Sequence, residues 1–205
     1  MERDVKVKIC GITTETEIGY LNESEADYAG FVFWEKSKRY ITLQKAKKLK
    51  DKLINHIKAV AVMVSPEIEF IKEIENAGFD YIQIHGELKK QVYKAADIPI
   101  IRAYNVDSIK DISDKNITDK ICAILYDGSI PGNGKVFDWQ LIKNINRNNK
   151  KLILAGGINK ENVRLAIEQI GPDVIDVSSA VEYKAGGKDP EKIKEFVKTV
   201  RTCEI

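Results

Sequence analysis

A chain of 205 residues that is 43% hydrophobic and 31% charged is long enough to bury a full core and too mixed in composition to be fibrous or disordered. No apolar run approaches the roughly 20 residues of a membrane span, so no membrane partner is expected. A net charge of +2, with basic residues spread along the chain, gives little reason to expect a nucleic-acid partner.

The N-terminal stretch Met1 to Lys8 is charged, without an apolar signal core or a small-residue cleavage site, which points to a cytoplasmic protein. A first strand is expected at Val5 to Cys10, with Val5, Val7 and Ile9 on one face and Lys6, Lys8 and Cys10 on the other. Thr14 with Glu17 reads as a capping box for the next helix. The second strand is Tyr28 to Phe33, followed by a loop carrying Lys36, Ser37, Lys38 and Arg39. Arg39 is either a surface arginine or a bidentate clamp for a carboxylate. Across the basic cluster from Lys36 to Lys58, Leu43, Ala46, Leu49, Leu53 and Ile57 recur at helical spacing, which leaves Lys45, Lys47, Lys48 and Lys52 on a solvated face.

The third strand is Lys58 to Val64, and Ser65 before Pro66 is expected to cap the helix after it. In the fourth, Tyr81 to His85, Gln83 and His85 share a face; His85 fits a hydrogen-bonded structural role or a catalytic one. Ile98 to Ala103 is the fifth, and the segment Asp107 to Lys120 after it has few apolar residues and promises only a short or irregular helix. The sixth strand, Cys122 to Tyr126, runs into Asp127, a candidate general acid or base that can equally be a turn aspartate ahead of Gly128. Leu152 to Ala155 and Val174 to Ser178 complete the set, with Gly156-Gly157 and a helix near Lys160 after one, and Ser179 and an Asp189-Pro190 cap after the other.

Eight strands alternating with helical segments predict a single (β/α)8 barrel domain over residues 1–205, since eight parallel units close where five or six stay open. Barrel chemistry sits at the C-terminal ends of the strands. That rule selects Cys10, Phe33, Val64, His85, Ala103, Asp127, Gly156 with Gly157, and Ser178 with Ser179. Glycines and serines after strands seven and eight suit a phosphate group, although each pair alone is also an ordinary turn or cap. Cys10, with Lys8 on its face, is expected to favour its thiolate and serve as a base or a nucleophile; the plain alternative is a small buried hydrophobe. Cys10, Cys122 and Cys203 have no metal-like spacing, so no metal site is expected and the thiols should be reduced.

Taken in order, Lys8-Ile9-Cys10-Gly11-Ile12-Thr13, Gly30-Phe31-Val32-Phe33 with Arg39-Tyr40, Gln83-Ile84-His85-Gly86, Phe137-Asp138-Trp139, Ala155-Gly156-Gly157-Ile158, Asp176-Val177-Ser178-Ser179 with Glu182, and Gly187-Lys188-Asp189 resemble the phosphoribosylanthranilate isomerase family over nearly the whole chain. The resemblance implies an Amadori rearrangement of a phosphorylated small molecule without a cofactor, on a monomer or homodimer. It assigns Cys10 as the base at ribose C2 and Asp127 as the acid at the ring oxygen. It further implies that Arg39 holds the anthranilate carboxylate, that Gly157, Asn159, Ser178 and Ser179 form the phosphate site, and that His85, Gly156 and Asp176 bind substrate. Two departures bear on rate and loop geometry: a shortened stretch Gly128 to Gly134 with Asn133 in it, and Ala180 where the family carries glycine. The alternatives are another phosphate-binding barrel isomerase, such as the histidine-pathway aminoaldose isomerase or a pentose-phosphate epimerase, and a barrel that binds sugar phosphates without turnover.

Overall fold

The computed structural model of the chain describes residues 4–106, 119–128, 136–143, 145 and 147–203. Eight parallel strands close into a barrel in sequence order: β1 (Lys6–Cys10), β2 (Tyr28–Val32), β3 (Lys58–Val64), β4 (Tyr81–His85), β5 (Ile100–Asn105), β6 (Ile121–Asp127), β7 (Lys151–Leu154) and β8 (Val174–Val177). Six α-helices among the described residues lie outside: α1 (Glu15–Asn22), α2 (Leu43–Lys50), α3 (Ile68–Asn76), α4 (Lys90–Ala95), α5 (Val163–Ile170) and α6 (Pro190–Arg201). None is long and apolar enough to cross a membrane. The expected weak fifth helix (residues 107–118 of it) and the Ser129 to Gly134 stretch lie outside the described residues.

The strands obey the alternation written in their sequence. Val7 and Ile9 of β1, Ile82 and Ile84 of β4, and Ile175 and Val177 of β8 face the helices. Val60, Val62, Ile101, Ala103, Leu125, Ile153 and Val174 fill the interior. β5 starts at Ile100 rather than Ile98 because Pro99 has no N–H for the ladder, and it runs on to Asn105 because Tyr104 and Asn105 pair with Tyr126 and Asp127. α2 buries Ala46 and Leu49 and exposes Lys45, Lys47 and Lys48 as expected, but ends at Lys50; Leu53 and Ile57 pack from the turn beyond it.

Side-chain caps fix where α1, α2 and α6 begin. The Asp189 carboxylate accepts from the Glu191 and Lys192 amides at the start of α6. Ser65 does not cap α3: it sits at φ +44°, its Oγ accepts from the Glu87 amide at 2.8 Å, and the helix begins after Glu67 without a side-chain cap. A serine in left-handed backbone before a proline serves the neighbouring loop instead.

At α1 the Thr14–Glu17 capping box is present and carries a second load. Glu17 Oε2 accepts from the amides of Thr13 (2.7 Å) and Thr14 (2.9 Å), while Oε1 accepts from the Lys188 amide (2.9 Å). Glu17 is buried, so its loss strands several donors away from water. We expect Glu17→Ala to destabilise the protein by about 2–4 kcal/mol in urea unfolding, against about 1 kcal/mol for Thr14→Ala. Equal effects would mean that Glu17 is only a cap.

Candidate active site

A cavity of about 470 Å³ opens at the C-terminal ends of the strands. Cys10, Arg39, His85, Asp127, Gly156, Gly157, Asp176, Ser178 and Ser179 line it, together with Gln83 and Arg102. Asn159 does not: its Oδ1 accepts from the Glu161 and Asn162 amides and shapes the turn into α5, which starts three residues later than expected, at Val163. Phe33 turns outward to pack edge-on against Phe70 and Phe79, and Val32 takes its place at the rim. Ala180 lies in a 3₁₀ turn, Ser179–Val181, against the helix layer rather than in the cavity.

Beneath the floor, Lys8 Nζ donates to Asp176 Oδ2 at 2.8 Å, with Lys8 fully buried. Burial alone would lower the Lys8 pKa, but the charges of Asp176 and Cys10 raise it on balance. Asp176 Oδ1 and Gln83 Oε1 are buried acceptors without a hydrogen-bond partner among the described residues.

Cys10 sits opposite Gly30 of β2, where an added Cβ would come within 2.8 Å of its sulfur; the glycine makes room for the thiol. Burial pushes the thiol pKa up and the Asp176 charge adds to this, against the pull of Lys8 and Lys188. The expected preference for thiolate is therefore corrected: the Lys8 charge is spent largely on Asp176, and desolvation prevails.

Asp127 is buried at the end of β6, and its Oδ1 accepts from the Gly128 amide at 2.8 Å. Gly156 at φ +79° lies against it, so that a side chain there would strike the Gly128 amide and crowd Asp127 Oδ1. Burial, reinforced by the Asp176 charge, raises the Asp127 carboxyl to about 6, although the Gly128 bond and Lys8 oppose the shift.

His85 shares a 2.9 Å contact with Gln83 Nε2. Burial, with the positive charges of Lys8 and Arg102, lowers its pKa to about 4, so the imidazole is neutral at physiological pH. Arg102 donates to the carbonyls of Ile84 and Gly86 on either side of His85, and its guanidinium lies 4.8 Å from the Tyr104 ring centroid. Sequence reasoning passed over Arg102; the signal was a cation inside an otherwise apolar strand.

On the opposite rim Arg39 crosses over Gly11, whose φ of +86° and missing Cβ admit the side chain. Its Nε and Nη2 donate to Glu182 at 2.6 and 3.0 Å. Lys188, buried and also passed over as a site residue, donates from Nζ to Glu182 Oε1 at 2.8 Å and to Ser178 O and Oγ at 3.2 Å. Ser178 Oγ in turn donates to the Cys10 carbonyl at 2.8 Å.

The model of the family described as N-(5'phosphoribosyl)anthranilate (PRA) isomerase matches residues 7–199. The N-(5'-phosphoribosyl)anthranilate isomerase of Clostridium acetobutylicum is 42% identical over 204 residues, spanning 96% of this chain and 98% of that relative. The crystal structure of phosphoribosyl anthranilate isomerase from Thermotoga maritima is similar at a TM-score of 0.86 and 36% identity, covering 96% of this chain and 98% of that one. A crystal structure of phosphoribosyl anthranilate isomerase in complex with reduced 1-(o-carboxyphenylamino)-1-deoxyribulose 5-phosphate is similar at a TM-score of 0.81 and 34% identity, with the same coverage.

The raised carboxyl carries a cost in stability. Folding raises the Asp127 pKa, so the stability from its proton is complete below about pH 4 and is lost as the pH rises through about 6. Asp127→Asn keeps an acceptor for the Gly128 amide and removes the charge. It is expected to stabilise the protein by about 2–3 kcal/mol in urea unfolding at neutral pH and by little at about pH 4. No gain at neutral pH would contradict the desolvated setting of this group.

Proposed function

The chain belongs to the N-(5'-phosphoribosyl)anthranilate isomerase family, and from that premise we propose how its cavity performs the Amadori rearrangement of N-(5-phosphoribosyl)anthranilate to 1-(2-carboxyphenylamino)-1-deoxyribulose 5-phosphate, a step of tryptophan biosynthesis. The observation that carries the assignment of roles is that a half-buried thiol on β1 and a raised carboxyl on β6 line one cavity, with the β7 and β8 loops at its edge.

Asp127 gives its proton to the ribose ring oxygen as the bond from that oxygen to C1 breaks, and the nitrogen lone pair closes a C1=N iminium. The Cys10 thiolate then takes the proton from C2, whose electrons form the C1=C2 bond of an enolamine and neutralise the nitrogen. Return of a proton to C1 and loss of the enol proton from the C2 oxygen give the aminoketone. The scheme asks the protein for one proton donor and one acceptor. Gly157, Ser178 and Ser179 hold the phosphate, whose remote binding energy places C1 and C2 without entering the chemistry. Asn159 acts on that loop through its turn, while Asp176 Oδ1 and Gln83 Oε1 accept hydrogen bonds from ribose hydroxyls. His85, neutral, is a polar neighbour rather than a competing base.

The two pKa shifts make the working protonation state a minority. At neutral pH Asp127 is mostly carboxylate and Cys10 mostly thiol, the reverse of what the chemistry needs. Above about pH 6 each gain in thiolate is matched by a loss of protonated Asp127, so the product of the two stays level until the thiol titrates. Substrate covering Asp127 raises its pKa further and enlarges the productive fraction.

We read the chain as one domain, monomeric or homodimeric, taking a phosphorylated small molecule rather than nucleic acid. Three free thiols and a biosynthetic substrate support a cytoplasmic setting.

Purified protein with fresh phosphoribosylanthranilate is expected to quench the substrate's anthranilate-type fluorescence by turnover, and Cys10→Ala and Asp127→Ala should each lower kcat at least about a hundredfold. The wild-type kcat/KM should climb with pH to about 6 and then level off. Residual activity of Asp127→Asn should go on climbing past that point. A wild-type rate in either alanine variant would reject its assigned role.

A further inference from the structure

From the rim geometry we infer that Glu182 is a positioning residue that fixes Arg39 for the substrate carboxylate, and that Lys188 keeps the clamp cationic while it does so. This rests on the reading of Arg39 as the group that meets the anthranilate carboxylate.

A guanidinium offers two forked edges, one made by Nε with Nη2 and the other by Nη1 with Nη2. Glu182 occupies the first, accepting from Nε at 2.6 Å and Nη2 at 3.0 Å. Nη1 makes no hydrogen bond among the described residues, so the second edge stays open on a residue that lines the cavity. One arginine thus serves two carboxylates, a fixed one behind and a bound one in front.

An arginine neutralised by its own carboxylate would attract a second anion weakly. Lys188 changes that balance: its side chain is fully buried and its Nζ lies 2.8 Å from the same Glu182 carboxylate. Burial lowers the Lys188 pKa, and the adjoining Glu182 charge and hydrogen bond act against that shift; with Lys188 protonated, two cations share one anion and one positive charge remains for the ligand. Lys38, 3.6 Å from Glu182 and exposed, adds a screened contribution. Glu182 is ionised throughout the working range: burial would raise its carboxyl, but the bonds from Arg39 and Lys188 bring it down to about 2. The Arg39 side chain is only 12% exposed, and it passes over Gly11, where no Cβ obstructs it. Orientation is therefore set before the ligand arrives, which removes the entropic cost of ordering a free arginine.

The test is calorimetric titration with reduced 1-(o-carboxyphenylamino)-1-deoxyribulose 5-phosphate and with its phenylamino counterpart lacking the carboxyl. Glu182→Gln should weaken the carboxylated ligand about tenfold or more, while the counterpart binds within about twofold of wild type. Glu182→Asp, charged but a methylene too short for the fork, should behave the same way and covers the case in which the glutamine variant fails to fold. Equal weakening of both ligands, unchanged binding, or tighter binding of the carboxylated one would overturn the proposal, the last by showing that Glu182 competes for Arg39. Arg39→Met separates the two levels. If it binds the carboxylated ligand like wild type, the clamp itself is wrong; if it loses affinity and the Glu182 variants do not, only the positioning role is wrong.

Discussion

A lysine ammonium cut off from water has to meet a counter-charge, and the barrel is built around the place where Lys8 meets Asp176. The two residues are register partners on the first and last strands, so the 2.8 Å ion pair closes the ring and lies beneath the cavity floor. Removing either partner would leave a buried charge uncompensated. The pair also sets the electrostatics of the floor. Lys8 would otherwise stabilise a thiolate at Cys10, and Asp176 would otherwise repel Asp127 without relief. With both present, desolvation remains the dominant influence, raising the thiol and the carboxyl alike.

The rim follows a related economy of charge. Arg39, Glu182 and Lys188 come from loops after β2 and β8, and Ser178 joins them to the backbone of Cys10. Glu17 ties the start of α1 to the Lys188 amide. Base, carboxylate clamp and phosphate loop therefore share one hydrogen-bonded frame on the β8–β1–β2 side of the barrel. Asp127, with Gly156 pressed against it, is the part of the site supplied from the far side.

The fold was legible because alternation and spacing are local properties. Val7 and Ile9 against Lys8 and Cys10 already state which face of β1 is inside, and every strand lies within about two residues of its expected position. The errors arise where a residue is decided by partners distant in sequence. Ser65 looks like a cap until Glu87 claims its hydroxyl, and Phe33 points outward to other phenylalanines. Asn159 is the local exception, its side chain taken up by its own turn. Glu182 and Arg39 are 143 residues apart, and Lys8 and Asp176 are 168 apart, so neither pairing can be read from spacing. The reversed shift at Cys10 has the same origin, since it depends on who else holds Lys8.

The central claim is that the floor of this cavity keeps Cys10 as a thiol until substrate and proton transfer call on it. Ultraviolet absorbance of the thiolate, followed against pH in a Cys122→Ser, Cys203→Ser background where Cys10 is the only thiol, and read as the difference from the same background with Cys10→Ala to remove the tyrosine signal, measures this directly. The account predicts only a small minority of thiolate at neutral pH and a transition above that of an ordinary cysteine. A thiolate already formed at neutral pH would contradict it.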